Sequence, residues 1–204
     1  MTLAAPMTEL EAVNSMLIAI GQLPVNAITP QLQDQNLALD ELRKIVREVC
    51  QYGFKFNTDD DYVLTPDIDG FIAAPLGALS IDPMDKRQDL TTRKHPTLTG
   101  FYLYDRANHS FEIGQPVKVS IKWSFTFEAL PEAARAYAVA AASRRFQAHV
   151  IGDPVADRFN QEDQQRAWLT LQREESANAD FNLFTANAEL RGKLNRRGRG
   201  WRSH

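Results

Sequence analysis

The chain has 204 residues, of which 44% are hydrophobic, and a formal net charge of -3; this composition is typical of an ordinary globular protein with one or two domains. No apolar run approaches the roughly 18 residues that a membrane-spanning helix needs, and the N-terminal sequence lacks the basic start and long apolar centre of a secretory signal. The single cysteine, Cys50, excludes an intramolecular disulfide and fits synthesis in a reducing cytoplasm.

Two amphipathic helices are predicted at the start of the chain. Thr8 and Glu11 have the spacing of a capping box, so the first helix is expected over residues 8–20, with Gly21 and Pro24 ending it. The second is expected over residues 33–52, and Gly53 ends it. Six charged residues lie largely off its apolar stripe and predict a solvated face: Asp40, Glu41, Arg43, Lys44, Arg47 and Glu48.

The periodicity changes after Gly53 and becomes typical of short strands. A tight turn is expected at residues 105–109, and the polar, basic segment 84–100 predicts an exposed loop. Strands are predicted over residues 54–56, 62–64, 78–81, 101–104 and 117–127. In the last of these Val117, Val119, Ile121 and Trp123 face one way, and Lys118, Ser120 and Lys122 face the other.

An alanine-rich helix over residues 130–153 is predicted to be the centre of the fold. Pro131 suits a first helical position, and Gly152 followed by Pro154 ends the helix. Its many alanines have high helix propensity and allow other backbones to approach closely, so contacts on more than one side are expected. A fourth, largely polar helix is predicted over residues 155–180, with one face open to solvent or to a neighbouring subunit.

Two helices, a β-rich middle and two further helices predict an α+β fold. We expect a four-helix bundle formed by the N- and C-terminal helix pairs, with the β-rich segment inserted between them. The expected domains are a discontinuous helical bundle over residues 1–53 and 130–180, a β-rich inserted domain over 54–129, and a basic, flexible C-terminal tail over 181–204.

No cofactor or metal site is predicted. The histidines (His95, His109, His149 and His204) are scattered, and no pair has the spacing that zinc peptidases use. The acidic stretch around residues 59–70 lacks the complete ligand pattern of a calcium loop, which favours a solvated loop. An alternative function is a glycan hydrolase with paired carboxylates. Its candidate acids are Asp59–Asp61 with Asp67 or Asp69, or Asp82 with Asp85.

The C-terminal segment is strongly basic and is the candidate partner-contact site. A basic end on an acidic body is expected to contact something negative, either nucleic acid or the acidic surface of another copy. Direct binding of nucleic acid, with arginines on phosphates and a tryptophan stacked on a base, is a further alternative function. The residues concerned are Arg191, Lys193, Arg196, Arg197, Arg199, Trp201 and Arg202.

Three segments, taken in order, carry a family resemblance. They are AVNSMLIAIGQLPV at residues 12–25, CQYGFKFNTD at 50–59 and LPEAARAYAVAAASRRFQAHVIGDP at 130–154. Their order and spacing over about the first 180 residues resemble the tail tubular protein A family, the head-to-tail adaptors of short-tailed, podovirus-type bacteriophages. Because all three are fold motifs, the resemblance assigns no functional residue.

The resemblance implies a structural virion protein and not an enzyme. Such proteins form a ring, expected to be a dodecamer, beneath the portal. The ring joins the portal to the tail nozzle, of the tail tubular protein B type, and surrounds the channel through which phage DNA leaves. The expected location is the head-to-tail interface of the virion, with no membrane contact. The polar face of the fourth helix is expected to contact neighbouring subunits, and residues 84–100 or the basic tail to bind portal or nozzle.

Overall fold

The computed structural model of the chain describes residues 5–29 and 32–186, with side chains as far as residue 177. Within these residues two helices precede the strands and two follow them. The helices are α1 (Glu9–Ala19), α2 (Gln33–Tyr52), α3 (Glu132–Val150) and α4 (Pro154–Ala186). The strands are β1 (Thr58–Leu64), β2 (Ala78–Pro83), β3 (Leu90–Lys94), β4 (Phe101–Asp105) and β5 (Val117–Trp123).

The first two helices start and end close to where their sequences predict. The Thr8 hydroxyl accepts from the Glu11 amide at 3.2 Å, and the Glu11 carboxylate accepts from the Thr8 amide at 2.8 Å, which confirms the capping box. Gly53 ends α2 in the left-handed region, at φ 74°. The prediction that Glu41 is solvated is wrong. This residue is 3% exposed, and its carboxylate receives the Lys44 ammonium at 2.7 Å.

Helix α3 packs against each of the other three helices, as the sequence predicts for the alanine-rich segment. Its buried residues include five alanines, which allow this close approach: Ala133, Ala134, Ala138, Ala141 and Ala142. Pro131 precedes the helix as its N-cap instead of occupying the first turn, and Gly152, at φ 69°, follows its C-terminal end.

Helix α4 extends six residues beyond its predicted end, so residues 181–186, assigned from sequence to the tail, continue the helix. It packs on α3 through half-buried Trp168 and fully buried Leu171. Arg144 on α3 holds Asp157 on α4 through contacts of 2.7 and 3.1 Å. The predicted basic tail beyond residue 186 lies outside the described residues.

The β-rich part contains an antiparallel sheet of order β1-β5-β2 and a separate antiparallel pair, β3-β4. In β5, Val117, Val119 and Ile121 are buried, as their alternation predicts. Two predictions are wrong. Residues 54–56 form no strand, because Lys55–Asn57 is a 3-10 turn, and the expected loop 84–100 contains β3. The turn at 105–109 is present and closes on a bridge between Asp105 and Ser110.

The fold is therefore mixed α+β, as predicted, with two clusters of buried side chains. One consists of residues from the four helices, with Phe127 and Leu130 at the entry to α3. The other lies in the β-rich part and comprises Leu64, Ile72, Ile81, Leu103, Val117, Val119 and Ile121. None of the helices in the described ranges has the length and hydropathy that crossing a lipid bilayer requires.

Candidate functional site

The acids proposed as paired hydrolytic carboxylates form local structural contacts. Asp59 accepts from the Trp123 indole at 2.8 Å, and Asp60 accepts from the Ser120 hydroxyl at 2.8 Å. Asp67 accepts from the backbone amides of Asp69 and Phe71 and so shapes the turn between them. Each of these three carboxylates thus hydrogen-bonds a different donor.

Asp82 and Asp85, the second proposed pair, are engaged in the same way. Asp82 accepts from the Ser80 hydroxyl at 2.7 Å. The pKa of Asp85 is lowered by a hydrogen bond from the Arg87 backbone amide and by the Arg87 side chain. Both side chains are thus engaged by residues two positions away in sequence.

The histidines that the structure describes have separate neighbours. His95 packs among the rings of Phe71, Tyr102 and Phe111, and its Nδ1 accepts from the Leu98 amide at 3.0 Å. His149 lies on α3 beside Glu41. Among the side chains described, in residues 5–29 and 32–177, no cluster of histidine, cysteine, aspartate or glutamate is able to hold a metal ion.

Two open grooves lie on the part of the surface that the structure describes. A groove of about 580 Å³ runs between α2 and the segment 125–128, and Arg43, Lys44 and Arg47 lie on its α2 side. A second, of about 510 Å³, lies between the segment 74–81 and β3-β4 and is lined by uncharged side chains. The proposed hydrolytic acids line neither groove.

The segment Cys50–Asp59 joins the helices to the β-rich part. Asn57 is 1% exposed, and its side-chain amide donates to the Cys50 carbonyl at 2.7 Å and to the Trp123 carbonyl at 2.8 Å. Aromatic rings continue the junction: Tyr52, Phe54, Phe56, Phe125, Tyr137 and Trp168 form one chain of contacts with centroids 5.0–6.4 Å apart. This segment therefore sets the orientation of the sheet relative to the helices.

The candidate partner-contact residues on the basic tail all lie outside the described residues: Arg191, Lys193, Arg196, Arg197, Arg199, Trp201 and Arg202. The structure instead exposes large apolar side chains that the sequence interpretation missed. Ile68 and Leu76 protrude fully from turns of the β-rich part, and Leu23 and Phe159 are mostly exposed on the helical part. An isolated large apolar residue inside a turn sequence, as in Asp-Ile-Asp-Gly, is the signal that identifies the first of these.

Comparison with known proteins identifies the family to which the chain belongs. Residues 10–181 match the family described as tail tubular protein. The tail tubular protein A of Klebsiella phage KP34 is 34% identical over 126 residues, which are 62% of this chain and 64% of that protein. The chain thus matches just under two thirds of that relative's length. Because the family match covers most of the chain, including all three segments that carried the resemblance, the chain belongs to the tail tubular protein family, whose members are structural proteins of phage tails.

Proposed function

We propose that the chain is one subunit of an adaptor ring, expected to be a dodecamer, that joins the portal to the tail nozzle of a short-tailed phage. The ring surrounds the channel through which phage DNA leaves the capsid. The family match over residues 10–181 is the observation that carries this proposal. The subunit resides in the virion, at the head-to-tail interface.

The geometry supports a role in assembly. Each proposed carboxylate pair has at least one member engaged in a turn or strand contact, whereas several large apolar side chains are exposed on both parts of the molecule. Exposed apolar groups are typical of surfaces that become buried in a complex. These exposed apolar side chains therefore support binding to other protein subunits.

The subunit is organised, in this proposal, as a helical bundle domain over residues 1–53 and 130–180 with the β-rich segment 54–129 inserted. The helical domains pack side by side around the ring, and the polar face of α4 makes one of the contacts. Residues 84–100 or the basic tail bind portal or nozzle. The local charge of the tail supports this last assignment, because its cations suit an acidic partner.

Incorporation into particles tests the role of the tail. A chain that ends after residue 188 loses six cations: Arg191, Lys193, Arg196, Arg197, Arg199 and Arg202. We expect it to fold with an unchanged circular dichroism spectrum but to be depleted from purified virions and from pull-downs on the portal protein. The full-length chain is the matched control, and equal incorporation of the two chains would refute the role of the tail.

Activity assays separate the adaptor from the two alternative functions. A glycan hydrolase would release reducing sugar and lose that activity in the Asp67→Asn or Asp69→Asn variant, whereas the adaptor releases none. A nucleic-acid-binding protein would bind free DNA with an affinity that falls steeply with salt. We expect the purified chain to associate with portal in preference to DNA, and sugar release that depends on these acids would contradict the proposal.

A further inference from the structure

Helices α1 and α4 lie on different flanks of α3. Helix α3 packs against both of them, while α1 and α4 have at most marginal contact with each other. Each therefore presents an outward surface to the surroundings of the subunit. We define the α1 flank by Ile18, Leu23, Leu32 and Asp34, and the α4 flank by Val155, Arg158, Phe159, Leu169 and Arg173.

Both flanks expose large apolar side chains. On the α1 flank the exposed fractions are 58% for Ile18, 86% for Leu23 and 50% for Leu32. On the α4 flank they are 55% for Val155, 61% for Phe159 and 50% for Leu169. Val155, Phe159 and Leu169 lie opposite the face of α4 that contains buried Leu171, so α3 does not cover them.

The flanks differ in charge. Residues 5–36 contain the acids Glu9, Glu11 and Asp34 but no lysine or arginine. Glu9 lies 3.5 Å from Arg43, Glu11 caps α1, and Asp34 receives a hydrogen bond from Gln22, beside Leu23.

The α4 flank instead carries unpaired arginines. Arg166 on the same side of the helix is held by Glu162 and Asp163 at 3.5 and 3.4 Å. Arg158 and Arg173 are exposed, and neither has a carboxylate within ion-pair distance among the side chains that the structure describes. The α4 flank therefore combines apolar groups with two available cations, and the α1 flank combines apolar groups with acids.

We propose that the α4 flank of one copy packs against the α1 flank of the next copy in the ring. This inference rests on the proposed function and identifies its subunit contact. A ring requires a heterologous contact, in which two unlike surfaces of the same chain meet, and the two flanks are unlike in charge but both apolar. The two arginines of one copy meet the flank that carries Asp34, where the nearby cation Arg43 is already paired with Glu9. Contact between two identical α4 flanks would instead bring the arginines of both copies together, so the α1–α4 pairing is favoured.

Cross-linking of rings assembled on the portal tests the contact. Cys50, the native cysteine, is buried, so new exposed cysteines react selectively. In the double variant Leu23→Cys with Phe159→Cys, a short bismaleimide is expected to give a ladder of covalent multimers. Each single variant is expected to give no dimer, because equal flanks do not meet. The pair Leu23→Cys with Ile68→Cys is the matched control, since Ile68 is fully exposed on the β-rich part.

The outcomes separate this inference from the proposed function. If rings form but the double variant gives no ladder of multimers, the α1–α4 contact is overturned. Dimers from a single variant overturn it as well. In both cases the proposal that the chain forms a ring still stands. Failure of the unmodified chain to form rings on the portal overturns both.

Charge reversal provides a second test that needs no cross-linker. The variant Arg158→Glu with Arg173→Glu is expected to weaken assembly about tenfold, and adding Asp34→Arg is expected to restore part of it. Exposed Lys118, on β5, supplies the matched control Lys118→Glu, which is expected to assemble normally. Unchanged assembly of the double reversal would overturn the contact.

Discussion

Asn57 connects the two parts of the molecule through one side chain. Its amide nitrogen donates to a carbonyl at the end of α2 and to a carbonyl at the end of β5. Because Asn57 is almost completely buried, water does not readily replace these bonds. The residue therefore links the orientation of the sheet to that of the helices.

Replacing Asn57 with alanine should lower the free energy of unfolding by about 2 kcal/mol or more, since two buried carbonyls lose their donor. Urea denaturation measures this change. Exposed Asn26, in the connection between α1 and α2, provides the control Asn26→Ala, for which a change within about 0.5 kcal/mol is expected. Equal effects of the two substitutions would show that the junction does not depend on Asn57.

The ion pair between Arg144 and Asp157 should make stability depend on pH. The Arg144 side chain hydrogen-bonds the Asp157 carboxylate and lowers its pKa below the ordinary value of about 3.9. A lowered folded-state pKa stabilises the fold above the ordinary value, and this contribution is lost as the pH falls through the folded-state pKa.

The variant Asp157→Asn should therefore lose stability at neutral pH and show a flatter decline between pH of about 5 and 2 than the unmodified chain. Thermal unfolding across this range measures the decline. The variant Arg144→Gln removes the cation instead and should flatten the curve in the same way. If neither substitution alters the decline in stability at acid pH, the role of this ion pair is contradicted.

At the scale of single elements, local signals predicted the helices well. The Thr8–Glu11 capping box, Gly53 and Gly152 act through backbone groups next to them in sequence, so the helix ends are readable from sequence. Residues 54–56 resemble a strand in sequence because their aromatic residues alternate, whereas Phe54 and Phe56 stack on each other and pack on the helical cluster. Strand β3, with the sequence LTTRK, has no apolar alternation, and its strand conformation depends on pairing with β4 across the connection 95–100.

Gly53 should be essential to the end of α2. Gly53 has φ 74°, a backbone conformation that residues with a Cβ adopt only with strain. A Cβ at this position would also lie 2.5 Å from Lys122 Cε. Gly53→Ala should destabilise the fold by about 1–2 kcal/mol. Gly53→Asn should cost less in backbone strain, because asparagine tolerates the left-handed region. Denaturation midpoints of the two variants measure the difference, and a smaller loss for alanine would contradict this explanation.

At the scale of the whole molecule, the two separate buried clusters support the proposed division into a helical and a β-rich domain. Val119→Ala in the β-rich cluster and Leu42→Ala in the helical cluster each remove fully buried methyl groups. Each is expected to cost about 1–4 kcal/mol. Hydrogen–deuterium exchange should increase mainly in residues 58–123 for the first variant and mainly in the helices for the second. Equal increases throughout the chain would indicate a single cooperative unit.

The functional surfaces were less predictable than the fold. The sequence interpretation placed partner contact on the basic tail, because charge runs are visible in sequence. The exposed positions of Leu23 and Phe159 depend on which helix faces their neighbours cover, which is a property of the packed structure. Family membership was predictable because its motifs coincide with helix ends and the Asn57 junction.

Electron microscopy of the purified chain mixed with its portal protein tests the adaptor role most directly. We predict a closed ring of this chain, coaxial with the portal and open along the channel axis. Single copies bound at scattered positions, or a portal that remains bare at saturating concentrations of the chain, would contradict the account.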